Sequence, residues 1–207
     1  MADRSVRPLR GFVSYATADR EMVDRLLTML RPTERALRLD FWRDTGIAAG
    51  SVWNAKIMDA IAAADVFIIC MSPAFLASQY CYEVELPAIH GRAADAGAVI
   101  VPVLLAPCAW WGSVGDWQVV PNQEGKAIPI SDWRSKEKGL VAAATQIERA
   151  IEVHLGLATA TPALPGAHPV APNLDDLDDW GPGKLSKAAI LQAVEAVVAQ
   201  RKADRDA

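Results

Sequence analysis

Two glutamates, Glu83 and Glu85, stand in the run Ser72-Pro-Ala-Phe-Leu-Ala-Ser-Gln-Tyr-Cys-Tyr-Glu-Val-Glu-Leu86. The run follows Val66-Phe-Ile-Ile-Cys70, an apolar, β-branched stretch that reads as a buried parallel strand. A strand thus ends in a Ser-Pro turn, and a helix carrying two acids follows. In open α/β sheets, ligands bind outside the carboxyl ends of the strands. A carboxylate at such an edge, desolvated by apolar neighbours, is a candidate for chemistry.

The two acids are separable by angle. At ~100° per residue, Tyr82, Leu86 and Ile89 share one helical stripe, with Glu85 inside it and Glu83 to one side. The spacing therefore favours Glu85 as the desolvated acid, with Glu83 as runner-up. A charge complementing the helix dipole is the plainer role, and it suits Glu83 better. Pro87 is suited only to the first turn of a helix, so a late helix start would change these angles.

Other chemistries find less support. Cys81 as a nucleophile needs a histidine nearby, and His90, His154 and His168 offer no evident pair. Cys70 reads as core. The histidines and cysteines lack metal-ligand spacing, so no metal is expected. Neither GxGxxG nor GxxxxGK occurs, which excludes the usual dinucleotide and nucleotide loops.

The elements that must position these residues alternate. Arg10–Tyr15 reads as a first strand. Asp19–Leu30 reads as an amphipathic helix, capped by Asp19 and ended by Pro32. Leu37–Trp42 is a second strand. Asp44–Ser51 is a turn-rich loop with two glycines, and Ser51 is positioned to cap a helix bearing Trp53, Ile57 and Ile61 on one face. Val66–Cys70 is the third strand and Tyr82–His90 a short helix. Ala98–Leu105 is a fourth strand, placed at or near an edge by Pro102. Trp110–Pro129 reads as irregular, and Gly139–Leu155 as a last amphipathic helix. This alternation predicts an α/β fold with a doubly wound parallel sheet.

Residues 1–157 form the expected domain. Residues 158–183 are a linker rich in proline and aspartate, and 184–207 a terminal helix that docks on the sheet domain or leads to a further module. The chain of 207 residues is 52% hydrophobic, enough for one sizeable core. Its 21 Lys+Arg against 25 Asp+Glu give a net charge of -4, which argues against a nucleic-acid-binding surface. Three cysteines without a CxxC fit a reduced compartment. The start, Met1 to Pro8, has no apolar core, and no apolar run approaches the ~20 residues of a membrane span. A cytoplasmic protein is the expectation.

Together the segments resemble a bacterial TIR (Toll/interleukin-1 receptor) domain. Phe12-Val-Ser-Tyr15 with Asp19 resembles the first box of that family. Trp42-Arg-Asp44 and the loop to Gly50 resemble the second, the BB loop. Asp65, Ser72-Pro73, Phe75-Leu-Ala-Ser78 and Tyr80-Cys81 resemble the segment leading into helix αC. Val101-Pro-Val and Pro107-Cys-Ala-Trp110 resemble the late strand and the turn after it. The likeness covers roughly residues 8–157 and implies the flavodoxin-like TIR fold. One departure concerns the acid: many relatives place it three residues after the cysteine, and here Val84 occupies that position.

The resemblance also implies a chemistry. Catalytic TIR domains cleave the nicotinamide–ribose bond of NAD+, using a glutamate on αC, and release ADP-ribose or a cyclic or rearranged isomer. Nicotinamide leaves neutral, so the barrier lies in the oxocarbenium-like ribose, which a carboxylate stabilises. NAD+ would be substrate, with no cofactor. By the same resemblance, Trp53 would line the pocket; from their places at strand ends, Ser14 and Tyr15 would meet ribose or pyrophosphate and Arg43 would offset phosphate charge, and Ser78 would hydrogen-bond near the catalytic helix. Plainer roles stand beside these: core packing for Trp53, an ordinary surface charge for Arg43 and a turn or cap for Ser78. The expected partners are further copies of the chain, through the 44–51 loop, and a sensing or oligomerising partner in bacterial antiphage immunity. The other reading is a non-catalytic TIR adaptor acting by homotypic association. A response-regulator receiver fits poorly, because the first strand ends in Ser14-Tyr15 rather than in acids. A nucleoside deoxyribosyltransferase is more distant still.

Overall fold

A computed structural model describes residues 7–43, 53–114 and 117–158. The loop at 44–51, the linker at 159–183 and the terminal helix at 184–207 lie outside the described residues. So does the side chain of Trp53.

Four parallel strands form the centre: β1 (Leu9–Ser14), β2 (Leu39–Trp42), β3 (Val66–Met71) and β4 (Val99–Leu104), in the order β2-β1-β3-β4. All six residues of β3 are buried. That is why its sequence is apolar without alternation: helices cover both of its faces. Val66, Ile68 and Cys70 pack with Val13, Leu26, Leu30 and Ile147 on one side, against α1 (Arg20–Leu37) and α6 (Lys136–His154). Phe67, Ile69 and Met71 pack with Phe12, Ile57 and Ile89 on the other, against α2 (Trp53–Ala63) and α4 (Leu86–Ala96). This is the doubly wound α/β architecture the sequence predicts.

β4 is one of the two outer strands of the four, consistent with Pro102. The Pro102 carbonyl accepts from Val120 N–H at 2.9 Å, on the side away from β3. A residue's N–H and C=O point to the same side of a strand. The donor that Pro102 lacks is therefore missing from the outer flank, not from the β3 ladder.

Several local expectations are corrected. The first helix does not stop before Pro32 but runs on to Leu37. Burial of Thr33 and Glu34 outweighs the proline's cost, and the Glu34 carboxylate accepts from Arg31 at 2.7 Å and from Phe41 N–H at 3.4 Å. The second strand accordingly begins at Leu39, not Leu37. The Trp-rich stretch contains a short helix, α5 (Trp111–Val114), and a two-residue antiparallel pair, β5 (Asn122–Gln123) with β6 (Lys126–Ala127).

Gly11 shows how tightly β1 is packed. A Cβ at this position would stand 2.2 Å from Phe41 Cδ1 and 2.6 Å from Cε1. Phe41 is itself buried, so its ring has little room to move. Gly11→Ala should cost about 1–3 kcal/mol as overpacking. Urea denaturation would show this as a lower midpoint with an unchanged slope.

Candidate active site

The segment carrying the two acids departs from a regular helix. Ser72 caps α3 (Pro73–Ala77), its hydroxyl accepting from Phe75 N–H at 3.0 Å. A π-helical turn, Tyr80–Glu85, follows, and α4 then starts at Leu86 with Pro87 in its first turn. The Leu86 N–H bonds back to the Cys81 carbonyl, five residues earlier. In a regular α-helix the Pro87 ring would press on the carbonyl four residues before it. Widening the turn just ahead of Pro87 relieves that clash. Such π turns are frequent at functional sites.

The π turn corrects the helical phase. Tyr82 is exposed rather than part of the inward stripe. The inward residues are Cys81, Glu85, Leu86 and Ile89. Glu85 is 7% exposed, whereas Glu83 is exposed and accepts from Gln79 Nε2 at 2.9 Å.

Glu85 reaches the end of β1. Ser14, the last residue of that strand and 1% exposed, donates its hydroxyl to Glu85 Oε2 at 2.5 Å. A short hydroxyl–carboxylate bond in a buried setting fixes the acid's orientation. The neighbouring thiol is not a nucleophile at neutral pH. Burial, chiefly, pushes Cys81 up to about 11, and the Glu85 charge adds to this. The Cys81 thiol donates to the Tyr15 carbonyl at 3.6 Å. The His90 ring packs on Trp117, with centroids 4.5 Å apart.

The remaining predicted site residues are distributed as follows. Tyr15 is half-buried against the core beneath α1. The Ser78 hydroxyl accepts from Cys81 N–H at 3.3 Å, supporting the first turn of the Glu85 segment. The Tyr80 hydroxyl donates to Asn54 at 2.7 Å, so the start of α2, next to Trp53, is bonded to the same segment. Arg43 follows β2, and its guanidinium pairs with Asp24 on α1. Ser14, Tyr15, Ser78 and Glu85 are thus brought together through hydrogen bonds around the π turn.

Sequence reasoning missed a second acid in this arrangement. Asp19 occupies the N-cap position of α1 but makes no side-chain cap. Its Oδ2 instead accepts from the Ser72 hydroxyl at 2.5 Å. Ser72 is 1% exposed and follows β3. Burial raises the Asp19 carboxyl above the usual aspartate range, against the lowering effect of the Ser72 bond. The signal available in sequence was the pair of polar residues, Asp19 and Ser72, just beyond adjacent strands.

No group of three or more His, Cys, Asp or Glu side chains among the described residues could hold a metal ion. None of the described helices is long and apolar enough to cross a membrane.

Comparison with known proteins gives the site its family. A sequence model of the TIR domain matches residues 12–138. An uncharacterized protein of Sinorhizobium fredii, y4lF, is 30% identical over 161 residues, which is 77% of this chain and 48% of that protein. The chain thus spans about half the length of this curated relative. Among solved structures, TIR domains in the activated Roq1 resistosome recognizing the effector XopQ align at 18% identity. That alignment has a TM-score of 0.42 and covers 68% of this chain and 84% of that one. The family match runs from the second half of β1 through the π turn with Glu85 to the start of α6, and on that match the chain belongs to the TIR domain family.

Proposed function

We propose that this TIR domain is an NAD+ glycohydrolase in which Glu85 is the catalytic residue. The observation that carries the reading is the buried Ser14–Glu85 bond at the carboxyl end of the sheet. A module that only associates with its like has no use for an inward carboxylate held there. In the reaction, the ribose C1′–N bond breaks and its electron pair stays on the pyridine nitrogen, so neutral nicotinamide departs. Positive charge develops on the ribose. Glu85, fixed by Ser14, stabilises that charge and accepts from ribose hydroxyls. Water or an internal nucleophile then captures C1′, giving linear ADP-ribose or an isomer.

Trp53 is assigned to substrate contact on the strength of the family resemblance, Tyr15 and Arg43 on their places at strand ends, and Ser78 on its place beside the Glu85 segment. Trp53 offers a ring face for stacking, and Ser78 supports the turn that carries the acid. NAD+ is the substrate and no cofactor takes part. The 44–51 segment joins copies of the chain, and assembly under a sensing partner switches on turnover in cytoplasmic antiphage defence.

Nicotinamide release from NAD+, followed by chromatography at low and high protein concentration, tests the proposal. The expected result is release that rises more than linearly with protein. Complete absence of release, even under crowding that forces assembly, would favour the adaptor reading instead.

A further inference from the structure

Two serines and two carboxylates are laced across the central strands. Ser14 ends β1 and holds Glu85, from the chain beyond β3. Ser72 follows β3 and holds Asp19, from the chain beyond β1. β1 and β3 are parallel neighbours with Ser14 opposite Ile69, so both carboxylates stand at the same edge of the sheet. Both charges add to the rise of the Cys81 thiol, after burial.

The side chain of Asp19 serves the buried Ser72 hydroxyl as its acceptor. It forgoes the helix cap its position offers. It is half-buried, unlike Glu85, and so has a route to solvent. The titratable groups acting on it or feeling it are thiols on three elements: Cys70 on β3, Cys81 in the π turn and Cys108 after β4. All three thiols are raised and neutral at pH 7, so none competes for a proton. A carboxyl whose pKa is higher folded than unfolded costs stability when ionised, and that cost is relieved as pH falls through the folded value. Ionised, Asp19 thus works against stability rather than for it.

We infer that Asp19 is a second catalytic residue of this site, the proton acceptor for the water that captures the ribosyl cation. The inference rests on the NAD+ reading above. Water oxygen forms the bond to C1′ as nicotinamide leaves with the C1′–N pair, and one water proton passes to the Asp19 carboxylate. Glu85 carries the electrostatic part and Asp19 the proton.

A nucleophile without a proton separates the two roles. The neutral nitrogen of 3-acetylpyridine can attack C1′ and displace nicotinamide with no proton transferred. In the 207-residue chain, Asp19→Asn keeps an acceptor for Ser72. It should cut hydrolysis by ~10²-fold or more while exchange with 3-acetylpyridine stays near wild type. Its melting temperature should equal or exceed that of wild type. Glu85→Gln should lose both reactions. Equal loss of hydrolysis and exchange in Asp19→Asn, or unchanged hydrolysis, would overturn the inference while leaving the NAD+ reading intact. Absence of both reactions in the assembled wild type would overturn that reading and this inference together.

Discussion

Glu85→Gln should lower nicotinamide release from NAD+ by about 10³-fold with the fold preserved. Glutamine has nearly the same shape as glutamate and keeps an oxygen to accept from the Ser14 hydroxyl. The substitution therefore removes the charge and leaves the packing of the π turn in place. Deleting one preorganised electrostatic contact at a developing charge typically costs ~10²–10³ in rate. A full negative charge facing an oxocarbenium-like ribose belongs at the upper end of that range. The loss should fall mainly on kcat, because the interaction strengthens only as the ribose becomes positive. Thermal melting should be within a few degrees of wild type or above it, since a buried charge is removed without leaving a cavity.

Ser14→Ala should show the second-largest effect, and on two readouts. The Ser14 hydroxyl is the buried donor that orients Glu85 at 2.5 Å. Its removal deletes a hydrogen bond to a charged group, which costs about 1.5–3 kcal/mol of stability. It also frees the carboxylate from the orientation that the proposed chemistry needs. Misplacement by about an ångström commonly costs ~10²-fold in rate. The expected result is kcat reduced by roughly 10- to 100-fold with a smaller change in KM. Urea denaturation and steady-state kinetics on the same preparation check both. If Ser14→Ala loses stability but turns over at the wild-type rate, the serine only braces the fold and does not position the acid.

The core was legible because its signals are local and additive. The unbroken apolar run Val66–Cys70 could only be a strand covered on both faces, and β3 is the fully buried strand of the sheet. Pro102 marked an outer strand through a single missing donor. What escaped was set by contacts distant in sequence. Asp19 satisfies every local rule for a helix cap, yet its carboxylate bonds to Ser72, 53 residues away. Pro32 satisfies the rule for a helix end, yet buried Thr33 and Glu34 carry α1 five residues further to Leu37.

The site was legible in part. Glu85 rather than Glu83 emerged as the desolvated acid from a regular helical period. The period itself was altered: a π turn precedes Pro87, Tyr82 faces solvent, and Cys81 takes the inward place with Glu85. A period of ~100° per residue cannot register one widened turn, because the hydrophobic pattern on either side remains helical. The π turn also bears on the departure from family spacing. Here the inward acid falls four residues after Cys81, and the widened turn brings both side chains inside.

In the proposed reaction the buried glutamate of the π turn, and not its exposed neighbour, cleaves NAD+. The most direct test measures nicotinamide release by wild type, Glu85→Gln and Glu83→Gln at one high protein concentration, with oligomeric state matched. Wild type and Glu83→Gln should release nicotinamide at similar rates, and Glu85→Gln almost none. Release by Glu85→Gln at the wild-type rate, or its loss only in Glu83→Gln, would contradict that role for Glu85.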